Sequence, residues 1–297
     1  MNRKKLLKGL NLSTYVALDF ETTGLDPNYD KVIEFAAILF KNGKPEKRFS
    51  TLVNPLQNIS PFITNITGIS NSMVTSAPKE KDIVDELIKT IGNHPVVAHN
   101  VKFDWSFIKS LCERYNKDIP KNPLYDTLQL ARSVLYDQPV FNLTALSELY
   151  GQDASGSHRA EKDTENCGLI FLHLLDEFMC YNLEEISSVL SVLDKYEVAN
   201  KKLYVDAANM LLKSGDLKTA LNKRIVDRKL GQSTYTIKGD KNIQNLTASD
   251  VFGSEGILSK KYKWFEDRAN QVEYANTCDE ILSGSNSGVL EAGTGLG

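Results

Sequence analysis

The chain has 297 residues, 41% hydrophobic and 25% charged, a size and balance that suit about two soluble domains and exclude a disordered polymer. Its formal net charge of −3 excludes a global basic field for drawing in nucleic acid, so such binding has to come from local patches and metal ions. Four cysteines (Cys112, Cys167, Cys180 and Cys278) show no CxxC or zinc spacing; the first three fall in helix-like stretches and read as buried thiols in a reducing, cytoplasmic compartment.

The opening stretch, MNRKKLLKGLNLSTY, is basic but lacks an apolar h-region, so neither a signal peptide nor a membrane span is expected. Residues 14–53 read as three strands: TYVALDF, KVIEFAAILF and KRFSTLV, with Asn42-Gly43 at the tip of a hairpin. Ser60-Pro61 opens a short helix, as N-cap and first helical residue, and Gly68 closes it. Ile83, Val84, Leu87, Ile88 and Ile91 recur at helical spacing before Gly92. PVVAH at 95–99 is a short buried strand, followed by a helix over about 104–116. Asp126 stands in a capping position before a further helix. FNLTALSELYG forms another, and a loop at 153–157 leads into a long helix reaching about Phe178. Three strands, then alternating helix and strand, predict an α/β domain with a mixed sheet over 1–180. Residues 181–250 read as a helical connector without visible chemistry, and 251–297 begin a new element.

Three separated motifs carry acids. Asp19 and Glu21 lie two apart on a strand and so share a face, while Phe20 points with Val16 and Leu18 to the other. Two close carboxylates repel unless a cation lies between them or one is protonated; the bland alternative is an acidic strand end. Asp104 falls on the apolar stripe of Phe107, Ile108, Leu111, Cys112 and Tyr115, and Asp163 begins the stripe of Cys167, Ile170, Phe171, Leu174 and Phe178. Two helices thus each begin their buried face with an aspartate. An unpaired buried charge is costly, and a helix N-terminus offsets only about 0.3–1 kcal/mol. A hard divalent cation, Mg2+ or Mn2+, would satisfy all four acids together; the alternative for each aspartate is a cap or a first-turn dipole partner. His158, five residues before Asp163, could take a proton from water, or be a surface residue of a Gly/Ser loop. His173 lies off the stripe and reads as structural, and His99 precedes Asn100 at the mouth of a strand.

DFETTG, AHNVKFDWSFI and HRAEKDT resemble, in this order, the three motifs of the DnaQ-like 3′–5′ exonucleases of the DEDDh type, which include DNA polymerase III epsilon-type proofreaders. ITGISNSMV, YDTLQLAR and NLTALSELYG add to the resemblance, which covers about residues 12–178. It implies an RNase H-like fold, a mixed five-stranded sheet flanked by helices. It also implies two divalent cations on Asp19, Glu21, Asp104 and Asp163, with His158 as general base. Phe20, Thr22, Thr23, Gly24, His99, Asn100 and Phe103 would line a terminal-nucleotide pocket.

The tail carries a second resemblance. A helix with Arg268 and Gln271 precedes VLEAGTGLG. Ala292, Gly293, Thr294, Gly295, Leu296 and Gly297 are similar to the start of a phosphate-binding loop. An exonuclease domain followed by this arrangement resembles the DinG-type helicase-related proteins of bacteria. That resemblance implies a truncated P-loop helicase start over 251–297, with Gln271 near adenine. ATP would be a cofactor only of a longer version, and no ATP hydrolysis is expected of this chain. The expected activity is therefore 3′–5′ exonuclease action on single-stranded DNA or RNA 3′ ends. The rivals are a stand-alone proofreading or RNA-trimming exonuclease and a catalytically idle docking module of a helicase.

Overall fold

Strand β1 (Thr14–Thr22) is set by residues buried on both faces. Val16, Leu18 and Phe20 enter one core cluster, and Tyr15 and Ala17 enter the other, as the strand period of two requires. β2 (Val32–Lys41) runs antiparallel to β1, and β3 (Lys44–Leu52) antiparallel to β2. Between β2 and β3, Asn42 and Gly43 both take positive φ, 50° and 78°, the backbone that a tight hairpin with the sheet's twist needs. β4 (Val96–Ala98) pairs parallel with β1, and β5 (Leu124–Asp126) parallel with β4. The sheet is thus mixed and five-stranded, in the order β3-β2-β1-β4-β5, as expected.

The computed structural model describes residues 3–153, 159–193, 195–214, 246–262, 265–266 and 269–283. The chain divides into two units, Met1–Gly231 and Gln232–Gly297. In the first unit the helices are α1 (Arg3–Gly9), α2 (Pro61–Thr67), α3 (Asn71–Val74), α4 (Glu80–Ile91) and α5 (Val101–Arg114), then α6 (Thr127–Val134), α7 (Leu143–Leu149), α8 (Ala160–Phe178), α9 (Leu183–Leu193) and α10 (Lys201–Ser214). Ser60 caps α2 by accepting a bond from the Ile63 N–H, and Gly68 ends it at φ 71°. Ile83, Val84 and Leu87 of α4 and Phe107, Ile108 and Leu111 of α5 cover the sheet face of Val16 and Leu18. α8 covers the other face through Cys167, Ile170, Phe171, Leu174 and Phe178. It packs closely because Gly168 lies under the Phe40 ring, while Tyr15 stacks on Phe40 at 5.0 Å and donates its hydroxyl to the Gly168 carbonyl at 2.9 Å.

α1 buries Leu6 and Leu7 in this same cluster, and α9 and α10 add Ile186, Leu203, Tyr204, Ala207 and Leu211. Tyr204 meets Phe178 edge-on at 4.9 Å. The basic start and the two helices after Phe178 thus complete the core on the α8 side. The second unit contains α11 (Ala248–Phe252), α12 (Ile257–Lys261) and α13 (Ala269–Ser283). Residues 292–297, the expected phosphate loop, and Arg268 lie outside the described residues. Among the described residues, no helix is long and apolar enough to cross a membrane.

Candidate active site

The site forms where β1 outlasts its neighbour. β4 pairs with β1 only at Val16 and Ala17. The Val16 N–H donates toward β4, to the Pro95 carbonyl at 2.8 Å, and by the period of two the Phe20 N–H points to the same side. By then β4 has ended at Ala98, so the Phe20 N–H has no strand partner there. Asp104, in the first turn of α5, accepts it at 3.1 Å. α5 begins at Val101, earlier than the spacing suggested. Asn100 supplies its start in the left-handed region, at φ 70°.

Asp19 and Glu21 face α8, whose first turn carries Asp163. Carboxylate oxygens of Asp19, Glu21 and Asp163 all lie within 4.8 Å of one another. Asp104, 2% exposed, adjoins this trio without being one of the three. Burial raises the Asp19 carboxyl well above the usual range, and the charges of Asp104, Glu21, Asp163 and Glu34 add to it. Burial, then Asp163 and Glu34, push Glu21 up to about 8, against the opposing pull of Arg159. Asp104 is raised chiefly by burial, against the backbone N–H groups that bond it. The donors are all hard oxygens, convergent and mutually repelling, so they cannot all ionise without a counter-charge. That chemistry fits a divalent cation of the Mg2+ or Mn2+ kind.

Sequence reasoning missed Glu34. It pairs across β1–β2 with Glu21, a juxtaposition of like charges that is unfavourable unless compensated. Arg159 compensates it at 3.0 Å, and the Ala160 N–H donates to the second carboxylate oxygen at 3.0 Å. Glu34 therefore holds the first residue of the helix that carries Asp163. The trace of this in the sequence is a lone acid inside an apolar strand. His158 lies outside the described residues; its neighbour Arg159 is the residue that Glu34 anchors.

The proposed pocket residues take several roles. The Phe20 ring is buried against Phe35 at 4.9 Å, so Phe20 presents its backbone rather than its ring. Thr22 donates to the Gly24 carbonyl at 2.6 Å. Thr23 donates to Asp30 at 3.1 Å and accepts from Gln57 at 2.6 Å. A side chain at Gly24 would collide with the Asp30 carboxylate, so glycine here allows the loop to close on itself. His99 shares a hydrogen bond of 2.9 Å with Thr127; burial lowers its pKa to about 4, so its ring is neutral. Phe103 leans on Phe107 at 5.1 Å. Asp126 is the N-cap of α6, accepting from Leu128 at 2.9 Å and Gln129 at 3.2 Å. His173 stacks on Tyr150 at 4.6 Å, a structural contact. Gln271 sits in α13 of the second unit.

Residues 16–171 match the family RNase_T, described as exonuclease. The chain is 36% identical over 199 residues to the DNA polymerase III PolC-type protein of Caldanaerobacter subterraneus, covering 67% of this chain and 14% of that one. It is 36% identical over 190 residues to the protein of the same name from Staphylococcus aureus, covering 63% and 13%. It thus spans about 14% of the length of the first of these relatives. E. coli exonuclease I, in a zinc-bound complex with single-stranded DNA, superposes with a TM-score of 0.51 at 21% identity, covering 60% of this chain and 45% of that one. That likeness shows a shared fold.

Proposed function

The chain belongs to the RNase_T exonuclease family, hydrolases acting on nucleic acids, and from this premise we propose that it is a two-metal-ion 3′–5′ exonuclease releasing nucleoside 5′-monophosphates from single-stranded ends. The observation that carries the reading is the convergence of Asp19, Glu21 and Asp163 within 4.8 Å, with Asp104 beside them. These four carboxylates would hold the cations. The chemistry supplied by two such cations when bound is polarisation of the scissile phosphate, activation of water and stabilisation of the leaving 3′ oxygen.

The chain's own residues do the rest. β1 and α8, locked by Tyr15, Phe40 and Gly168, keep Asp19, Glu21 and Asp163 in register; rigid positioning of this kind is a large part of catalysis. Asp104 ties the start of α5 to the backbone between the two β1 acids. His158 takes the proton of the attacking water. Its place one residue before Arg159, which is anchored on Glu34, supports that role. The neutral His99 ring, the Asn100 turn and Phe103 receive the terminal nucleotide, together with the backbone of 20–24. The PolC-type relatives, named as DNA polymerases, favour DNA over RNA.

The tail supports a placement within a larger protein. Gln271 on α13 and the AGTGLG run at 292–297 are the residues that a DinG-like helicase-related protein would use to approach ATP. In this reading the chain is part of such a protein.

The direction of digestion is tested with one oligonucleotide labelled at either end, in Mn2+. A 3′ label should appear at once as a labelled mononucleoside 5′-monophosphate, and a 5′ label as a shortening ladder. Release of the 5′ label first, or internal fragments only, would overturn the reading.

A further inference from the structure

We infer that Asn200, which lies between α9 and α10 and outside the residues matched by the exonuclease family, is a positioning residue for the terminal-nucleotide pocket. The inference rests on the proposed role of His99 and Asn100 in that pocket. β5 is the edge strand of the sheet, and an edge leaves a row of backbone groups unpaired. Asn200 takes three of them. Its own N–H donates to the Leu124 carbonyl at 3.1 Å. Its side-chain oxygen accepts from the Asp126 N–H at 2.9 Å, and its side-chain amide donates to the Asp126 carbonyl at 3.0 Å. One residue, through its backbone N–H and its side chain, thus does the work of a sixth strand at this edge. It does so from a backbone at φ 66°, a conformation that asparagine tolerates better than most residues.

The clamp leads directly to the pocket. Asp126, held at both backbone groups, turns its carboxylate to the Asn100 N–H at 3.2 Å as well as to the start of α6. Thr127, the next residue, bonds the His99 ring at 2.9 Å and the Ala98 carbonyl at 3.3 Å. Asn200, Asp126 and Thr127 are 4%, 1% and 0% exposed, so these bonds are shielded from solvent in the intact chain. Asn200 therefore fixes β5, and β5 fixes the His99–Asn100 turn. Asp19, Glu21 and Asp163 lie on β1 and α8, and none of these bonds reaches them; Asp104, in the first turn of the helix that Asn100 begins, is held by its own bond from the Phe20 N–H.

The test is Asn200→Gly in the full chain, which keeps the positive φ and removes only the side chain. KM for a single-stranded oligonucleotide should rise about tenfold, with kcat within about twofold and the Mn2+ activation midpoint within about twofold, the pattern of lost uniform binding. In a double-mutant cycle with His99→Ala, the two KM effects should be less than multiplicative, because both act through one turn. Tyr204→Leu, chosen to cost similar stability in the same α10 core, should leave KM unchanged. An unchanged KM in Asn200→Gly, an equal rise in Tyr204→Leu, or independent effects in the cycle would overturn the inference. A parent chain without exonuclease activity would instead overturn the functional reading beneath it.

Discussion

Glu21→Gln keeps the side chain's shape and removes one charge from the carboxylate cluster, so it isolates the electrostatic strain of the metal-free site. In the folded chain the Glu21 carboxyl is pushed up from 4.5 to about 8, by burial first and then by Asp163 and Glu34. Between those values the folded state holds a proton that the unfolded chain has released. Stability is therefore fully present below about pH 4.5 and is lost as the pH rises to about 8. The whole interval corresponds to roughly 5 kcal/mol, at about 1.4 kcal/mol per tenfold change in proton affinity. Glu21 is partly open to solvent, which reduces the effect to about 2 kcal/mol. For a unit of this size that is about 4–8 °C in Tm. In EDTA at pH 8.5, Glu21→Gln should melt about 4–8 °C above the parent, whereas at pH 5 the two should differ by about 2 °C or less. Mn2+ should then raise the parent's Tm more than the variant's, since a ligand stabilises only the state that binds it. Thermal melts over pH 5–9, with and without Mn2+, measure this directly. A parent Tm independent of pH in EDTA, or a variant less stable than the parent at pH 8.5, would refute the reasoning.

Asp104→Ala strands the buried Phe20 N–H, which Asp104 accepts at 3.1 Å, at a cost of about 1–3 kcal/mol. Asp104→Asn keeps an acceptor and drops a buried charge, so in EDTA it should melt at or above the parent; both should lose nuclease activity. Gly168→Ala drives a methyl group into the Phe40 ring and should lower Tm by overpacking, about 1–3 kcal/mol by chemical denaturation. Arg114→Ala removes the ionic partner of Glu80, whose carboxylate also accepts from the Val32 N–H at 3.1 Å. It should cost about 2–4 kcal/mol, below a fully buried pair because Arg114 keeps some contact with water. Adding Glu80→Gln should recover part of that loss. An unchanged denaturation midpoint in either Gly168→Ala or Arg114→Ala would contradict the packing assigned to it.

The sheet's first three strands were legible because local chemistry dictates them: an apolar run, the Asn42-Gly43 turn and a returning run. β5 was not, since three residues, LYD, carry no period of their own and become a strand only by lying beside β4. α1 escaped notice for a similar reason. Its two buried leucines are apolar for the sake of the α8-side core, which the sequence places far away. In the site, Asp19, Glu21, Asp104 and Asp163 stood out as acids on buried faces, which physical chemistry marks as anomalous. Glu34 and Asn200 did not, because each is defined by a partner distant in sequence: Arg159 for one, the edge of β5 for the other. Contacts of that kind leave no local pattern. Thr22 and Thr23 were named only through the family resemblance, and the bond from Gln57 that orients Thr23 was not legible.

The measurement that bears most directly on the carboxylate site is digestion of a 5′-labelled single-stranded oligonucleotide by the parent and by Asp19→Ala, in Mn2+, in Mg2+ and in EDTA. A ladder shortening from the 3′ end in the parent with either metal, absent in EDTA and reduced at least about 100-fold in Asp19→Ala, is expected. Cleavage that survives both EDTA and Asp19→Ala, or no cleavage by the folded parent in either metal, would contradict a metal-dependent exonuclease built on these acids.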